Sequence, residues 1–189
     1  YDIYFTSMST IGGFLAGTLG GAVLGLSFWW SKTFAKIFEP YLVMFNAIPK
    51  LALAPILIVL FGIGFSSKVM LAFLMTVISC ALATVSGVEN VDESMETLLY
   101  SLGAARWQVF GKVVVPAVLP WMLGSLRINI SLALAGAIVG EFIASGHGLG
   151  RMVIYAGTIL DITLVWVGVI VLSLLAMVMY FAVVELEKW

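Results

Sequence analysis

An all-α, polytopic helical membrane protein with five transmembrane helices is what the sequence predicts, and three observations carry it. Apolar residues make up 62% of the chain and charged ones only 10%, with a mean hydropathy of +1.16. A soluble domain carries about 25% charged residues. Apolar stretches recur at close to the ~20 residues that a helix needs to cross a bilayer. Polar residues are instead gathered in one interior segment, residues 89–112, which is too long to be a turn. A net charge of −1 and a pI near 5.8 argue against nucleic acid as a partner. Cys80, the single cysteine, sits in an apolar run and reads as a core residue, leaving no disulfide or multi-cysteine metal site.

The spans are expected at Thr6–Trp30, Phe38–Phe61, Lys68–Val88, Val113–Ala144 and Ile162–Val184. In the first, Gly13, Gly17, Gly21 and Gly25 recur every fourth residue, with Gly12, Ala16 and Gly20 in a row beside them. Small residues let helix backbones approach closely in lipid, so this is a packing face. Its partner, within the chain or in a second subunit, is open. The second span contains Asn46 and Lys50, with Pro49 and Pro55 breaking the helix around the lysine. Irregular backbone at depth is tolerated where it is buried in protein or lines a wet cavity. If the hydrocarbon begins at Leu51, Lys50 is instead an interfacial anchor.

Between the third and fourth spans, Val91, Met95, Leu98, Leu99 and Leu102 make one apolar stripe on a polar helix. Asn90 with Glu93 reads as its cap, acids cluster in its first turn, and Gly103 ends it. A second short helix carries Trp107, Phe110 and Val114 on one side and stops near Pro116. Such a pair either lies among lipid headgroups or docks into another protein. The fourth span, with Pro116 and Pro120 near its start, holds Arg127 and Asn129 about 16 Å along the helix from Pro116. Glu141 lies near its outer end. Polar groups at membrane depth mark pathways by default, so Asn46, Lys50, Arg127, Asn129 and Glu141 are the candidate translocation residues. Each has a plainer reading: Arg127 snorkels or binds a carbonyl, and Glu141 partners a neighbouring span. Two cations and two amides against one acid lean toward an anionic or polar solute.

The outer stretch before the last span contains His147 between Gly146 and Gly148 and reads as a flexible loop; a lone His is a poor metal site. This loop is also placed to contact an extracytoplasmic binding protein. No Gly-x4-Gly-Lys-Ser/Thr sequence occurs, so the chain carries no phosphate loop of an ATPase. No catalytic constellation appears, and the chain reads as a transport subunit rather than an enzyme. With residues 89–112 cytoplasmic, Lys32, Lys36 and Lys188 share that side while Lys68 and Arg151 lie outside, as the positive-inside rule favours. Trp29, Trp30 and Trp189 fit an aromatic belt. The five spans, residues 1–189, parse as a single membrane domain.

The 89–112 loop resembles the cytoplasmic EAA loop of ABC-importer permeases: EAA, three residues, Gly, nine residues, then Ile-x-Leu-Pro. Gly103 is the glycine, and Val113, Val114, Val115 and Pro116 match the end conservatively. Thr97, Leu98 and Leu99 hold the EAA positions, with the acid one place early at Glu96. SLGAARWQVFGKVVVPAVLP and the following LRINISLALAGAIVGEF resemble the nitrate/sulfonate/taurine branch. The resemblance implies that Asp92, Glu96, Thr97, Leu98, Leu99, Gly103, Ala104, Arg106, Trp107 and Pro116 belong to an ATPase-coupling loop. It implies an ATPase dimer holding ATP and Mg on separate chains, with no cofactor on this one. It further implies a second, identical permease subunit, an extracytoplasmic binding protein, lipid around the spans and a bacterial inner-membrane location. A sixth span is expected before Tyr1, and the cargo is expected to be a small anion or organic solute such as a sulfonate, taurine or nitrate. Two other readings stand beside the importer: an ion-coupled secondary transporter with Glu141 as carrier, and a membrane scaffold whose loop recruits a cytoplasmic protein.

Overall fold

The computed structural model describes residues 1–187; Lys188 and Trp189, read above as an inner charge and a belt residue, lie outside the described residues. Helix α1 runs over Asp2–Trp30. Ser31, in extended conformation, ends it and caps α2, Lys32–Ala47, by accepting from the Phe34 N–H at 3.2 Å. A 3-10 turn over Lys50–Leu53 leads to α3, Ala54–Phe61, and the two halves meet at 82° across Ile48–Pro49. The expected second span is therefore a bent pair, starting at Lys32 rather than Phe38 and broken where Pro49 withholds its N–H. Helix α4 covers Phe65–Glu89. Two short helices follow, α5 over Glu93–Ser101 and α6 over Arg106–Val109. Then come α7, Val115–Ile143, α8, Leu149–Thr158, and α9, Ile162–Glu187. Among the described residues four helices are long and apolar enough to cross a membrane, or five spans with the bent pair.

The glycine row of α1 finds its partner within the chain. Gly13 lies against Ala72, Gly17 against Thr76, Gly21 against Cys80 and Gly25 against Thr84. Both rows climb in the same order, so α1 and α4 are parallel, backbone on backbone. The second row is looser: Gly12 meets the methyls of Val69, and Gly20 the side chains of Phe73 and Val77. Gly87 faces Trp121, Gly136 faces Ala72 and Gly140 faces Lys68, so α7 runs antiparallel to α4. Phe14, Ala72, Ile130, Ala133, Leu134, Met179 and Val183 form the core where α1, α4, α7 and α9 meet. Cys80 is fully buried there, its Sγ 3.3 Å from the Thr18 carbonyl oxygen.

The second short helix does not stop near Pro116. It runs on through a π turn, Phe110–Val114, into α7, with the Val115 N–H bonding to the Phe110 carbonyl. The extra residue in that turn relieves the clash of the Pro116 ring with the preceding turn, and Pro116 then sits in the first turn of α7, where its missing N–H costs little.

Candidate functional site

Helices α5 and α6 hang from one end of the bundle. Asp92, not Asn90, caps α5: its Oδ1 accepts from the Ser94 N–H at 2.9 Å and from the Ser94 hydroxyl. Asn90 instead closes α4, its side-chain amide donating to the Ser86 carbonyl at 2.8 Å. Val91 explains the choice, because it is drawn into a buried cluster with Val114 and Val118. That burial consumes Asn90–Val91 in the end of α4 and leaves Asp92 first in line. The bonds from Ser94 hold the Asp92 carboxyl below the usual aspartate range. The cap is therefore charged at neutral pH, and its contribution is lost only as pH falls through that lowered value.

Gly103 ends α5 with φ +82°. The Gly103 N–H bonds to the Tyr100 carbonyl and the Ala104 N–H to the Leu99 carbonyl, both at 3.0 Å, the paired closure of a left-handed C′ residue. Gln108 accepts from the Ala105 N–H at 2.8 Å and starts α6. Thr97 turns inward only as far as the Glu93 carbonyl, to which its hydroxyl donates. Val91 and Leu99 of the apolar stripe turn at least partly to protein; Met95, Leu98 and Leu102 stay exposed, with Leu98 at 53%. Trp107 is also exposed, at 68%, while Phe110 and Val114 pack inward, so the three do not share one side.

What braces this pair is the end of α1. The Trp29 indole N–H donates to Glu96 at 2.8 Å. Arg106 lies 5.3 Å from the Trp29 ring and 5.2 Å from the Trp30 ring, and its guanidinium donates to the Trp30 carbonyl. A cation on the last carbonyls of a helix is favoured by the dipole, and over indole faces by the ring quadrupole. Phe110 completes the stack at 5.3 Å from Trp29. Trp29 and Trp30, expected in an aromatic belt, thus tie α5 and α6 to α1.

The polar residues of the spans do not converge on one site. Lys50 Nζ donates to Asn46 Oδ1 at 3.1 Å and to its carbonyl at 3.3 Å, so this pair bridges the kink between α2 and α3. Arg127 Nε donates to Glu187 Oε2 at 2.6 Å. Asn129 is fully buried, with Nδ2 3.3 Å from Ser125 Oγ and no partner for Oδ1 among the described residues.

Glu141 is 1% exposed and accepts from Thr6 Oγ1 at 2.8 Å and from the Gly150 N–H at 2.8 Å. The buried Lys68 interacts with it electrostatically, while its ammonium donates to the Ala144 carbonyl. Asn129 and Glu141 therefore face protein, closed off from open space by the helices around them.

The histidine stretch is not a free loop. Thr6 Oγ1 accepts from the Leu149 N–H at 2.9 Å, and Asp2 Oδ1 accepts from the Gly148 N–H at 2.8 Å. Gly148, at φ +118°, has room only for hydrogen, since a Cβ there would fall 2.3 Å from Glu141 Cδ. His147 packs edge-on against Tyr1, ring centroids 4.8 Å apart. The clamp of Asp2, Thr6 and Glu141 on Gly148–Gly150 was not foreseen in the sequence. Neither was α8, although Leu149, Met152, Val153 and Ala156 carry the helical spacing that would reveal it. Among the described residues no three His, Cys, Asp or Glu side chains are grouped to hold a metal ion.

Residues 17–189 match the family described as binding-protein-dependent transport system inner membrane component. The chain belongs to that family. It is thereby a multi-pass inner-membrane component, in keeping with the helix lengths above. The riboflavin transport system permease protein RibX of Chloroflexus aurantiacus is 36% identical over 79% of this chain and 56% of its own length. The formylaminopyrimidine transport permease protein ThiX of Halalkalibacterium halodurans is 35% identical over 89% of this chain and 67% of its own. The taurine transport system permease protein TauC of Escherichia coli is 32% identical over 92% and 63%. The chain thus spans between 56% and 67% of the length of these three relatives. An inward-facing structure of the MetNI methionine ABC transporter superposes with a TM-score of 0.77, covering 99% of this chain and 91% of that one. At 18% identity this likeness shows the fold. The all-α, polytopic fold expected from composition is the fold this chain shares with that structure.

Proposed function

We propose that this chain is the membrane-spanning permease subunit of an ATP-driven ABC importer, and that α5 and α6 dock on a separate ATPase dimer. The observation that carries the proposal is the braced helix pair with its outward apolar face. Met95, Leu98, Leu102 and Trp107 are exposed on elements whose other sides are tied to Trp29, Trp30 and Val114. A floppy headgroup-bound loop needs no such bracing; a lever does. ATP, with Mg, would be bound and hydrolysed on the partner chains. Closure of that dimer would push on α5 and α6, and the Glu96–Trp29 and Arg106–Trp30 contacts would pass the displacement to α1 and, through the glycine row, to α4.

In this reading the α5–α6 end is cytoplasmic, with Lys32 and Lys36 on the same side and the Gly146–Gly150 clamp at the outer face, where an extracytoplasmic binding protein would dock. A second copy of this chain completes the path, and lipid covers the apolar face of α9. The cargo is a small anion or organic solute such as a sulfonate, taurine or nitrate. Support comes from the relatives named for taurine and, in Bacillus subtilis, for aliphatic sulfonates. Glu141 has protein partners for its carboxylate, which favours a structural role over that of a carrier.

Gly103→Val tests the coupling. A β-branched residue at φ +82° costs about 1–2 kcal/mol locally and opens the closure of α5. Transport by the assembled complex should fall at least about tenfold, the effect of that local cost, while ATP hydrolysis continues and the membrane domain melts as before. Unaltered transport per ATP would remove the loop from the mechanism.

A further inference from the structure

Two open faces of the bundle differ in chemistry. The outward face of α9 shows Trp166, Val167, Ile170, Leu174, Met177 and Val178, with Ser173 among them turned back onto the Val169 carbonyl, as expected of a helix against lipid. The open stripe of α7 instead reads Gly124, Arg127, Ile128, Ser131 and Ala135, at helical spacing. The Ser131 hydroxyl is likewise turned back, onto the Arg127 carbonyl, so the charge among small residues is what makes a poor lipid contact.

Depth sharpens the contrast. Arg127 lies about 9 Å further along α7 than Trp121, which packs on Gly87 near the end of α4. Its side chain is 47% exposed, while that of Glu187, at the end of α9, is 8% exposed, so the cation faces out beside a buried carboxylate. A half-exposed guanidinium at that level is tolerated where water reaches it. An open recess of about 540 Å³ lies there, lined by Gly124, Arg127, Ile128, Ser131, Leu132 and Tyr180. Glu187 meets Arg127 at a single donor, Nε, rather than fork on fork. The Tyr180 hydroxyl is a further neighbour of the guanidinium, whose five N–H donors still leave capacity for another acceptor.

We propose that Arg127 is the anion-recognition residue of a water-filled recess on the solute path, and that Glu187 stays on its Nε as internal counter-ion while a sulfonate- or carboxylate-type anion takes the remaining donors. That the recess lies on the solute path rests on the permease reading; its water and its charge preference do not. Glu187 keeps the cation from standing alone when the path is empty. Because the anion takes donors that Glu187 leaves open, the buried carboxylate keeps its partner at both stages.

The test uses the complete transporter in membranes. Ser131→Cys places a thiol in the recess, while native Cys80 is fully buried and silent. Modification by an anionic sulfonatoethyl thiosulfonate is compared with that by a cationic trimethylammonioethyl thiosulfonate. Arg127→Gln should lower the anionic-to-cationic rate ratio by about tenfold, Arg127→Lys should largely preserve it, and Glu187→Gln should raise it. Trp166→Cys on the α9 face should react with neither. If neither reagent modifies Ser131→Cys, the face is lipid-covered and the inference fails. An unchanged ratio in Arg127→Gln also overturns it. Neither failure touches the coupling by α5 and α6, which ATP hydrolysis and transport report separately.

Discussion

Gly21→Leu should abolish recovery of a monodisperse membrane domain, whereas Gly20→Ala, one residue away, should melt like the parent. A Cβ at Gly21 would fall 2.5 Å from the Val77 carbonyl oxygen, 2.7 Å from Cys80 Cβ and 2.9 Å from the Ala81 backbone nitrogen. Two of these atoms are backbone in a helix and cannot rotate away. Separating α1 from α4 is the remaining escape, and it undoes the contacts of Gly13, Gly17 and Gly25 at once. Ordinary overpacking costs about 1–3 kcal/mol; here the loss should exceed that range because the whole interface must part. At Gly20 the nearest atoms are side-chain tips of Phe73 and Val77 at 3.5 Å, ordinary contact distance. Size-exclusion profiles and thermal melts in mild detergent separate the two. Equal behaviour of both variants would mean that α1 and α4 do not meet along this row.

Glu141→Leu should cost about 2–6 kcal/mol, since two buried donors lose their acceptor at about 1–3 kcal/mol each. It strips the acceptor from Thr6 Oγ1 and the Gly150 N–H and removes the longer-range electrostatic interaction with the buried Lys68. The damage should concentrate at the outer end, so amide hydrogen exchange at Leu149 and Gly150 should rise at least about tenfold, while α5 stays as protected as before. Glu141→Leu combined with Lys68→Met should lose less than the two single variants together, since no charge is then left alone. Additive losses would show that the two side chains act independently. Unchanged exchange at Gly150 would show that Glu141 does not hold the loop.

These two sites differ in how far the sequence exposes them. The glycine row is visible because period four on a span has one physical use, close backbone approach. Its partner is not, because Ala72, Thr76, Cys80 and Thr84 look like unremarkable members of an apolar run. The end of α5 is legible at Gly103 for a local reason, its left-handed backbone. Its start is not, since Asn90 and Asp92 both offer a capping side chain, and the long-range burial of Val91 with Val114 and Val118 decides between them. Arg127 and Glu141 announce themselves as charges at depth, yet their partners, Glu187 and Thr6, lie 60 and 135 residues away in the chain. Composition carries no trace of such pairings. The outer helix α8 is hidden for another reason: Gly146, Gly148 and Gly150 suggest a loop, whereas Gly148 and Gly150 make room for Glu141.

Whether α5 and α6 hold an ATPase can be measured directly. The complete transporter would be purified in mild detergent with the native loop and with Leu98→Glu, Leu102→Glu, and the co-purifying proteins identified by mass spectrometry. An ATPase carrying a phosphate-binding loop should accompany the native chain and be lost from the variant, with both membrane domains eluting alike. Recovery of no nucleotide-binding protein with the native chain, or of equal amounts with both, would contradict the proposed docking.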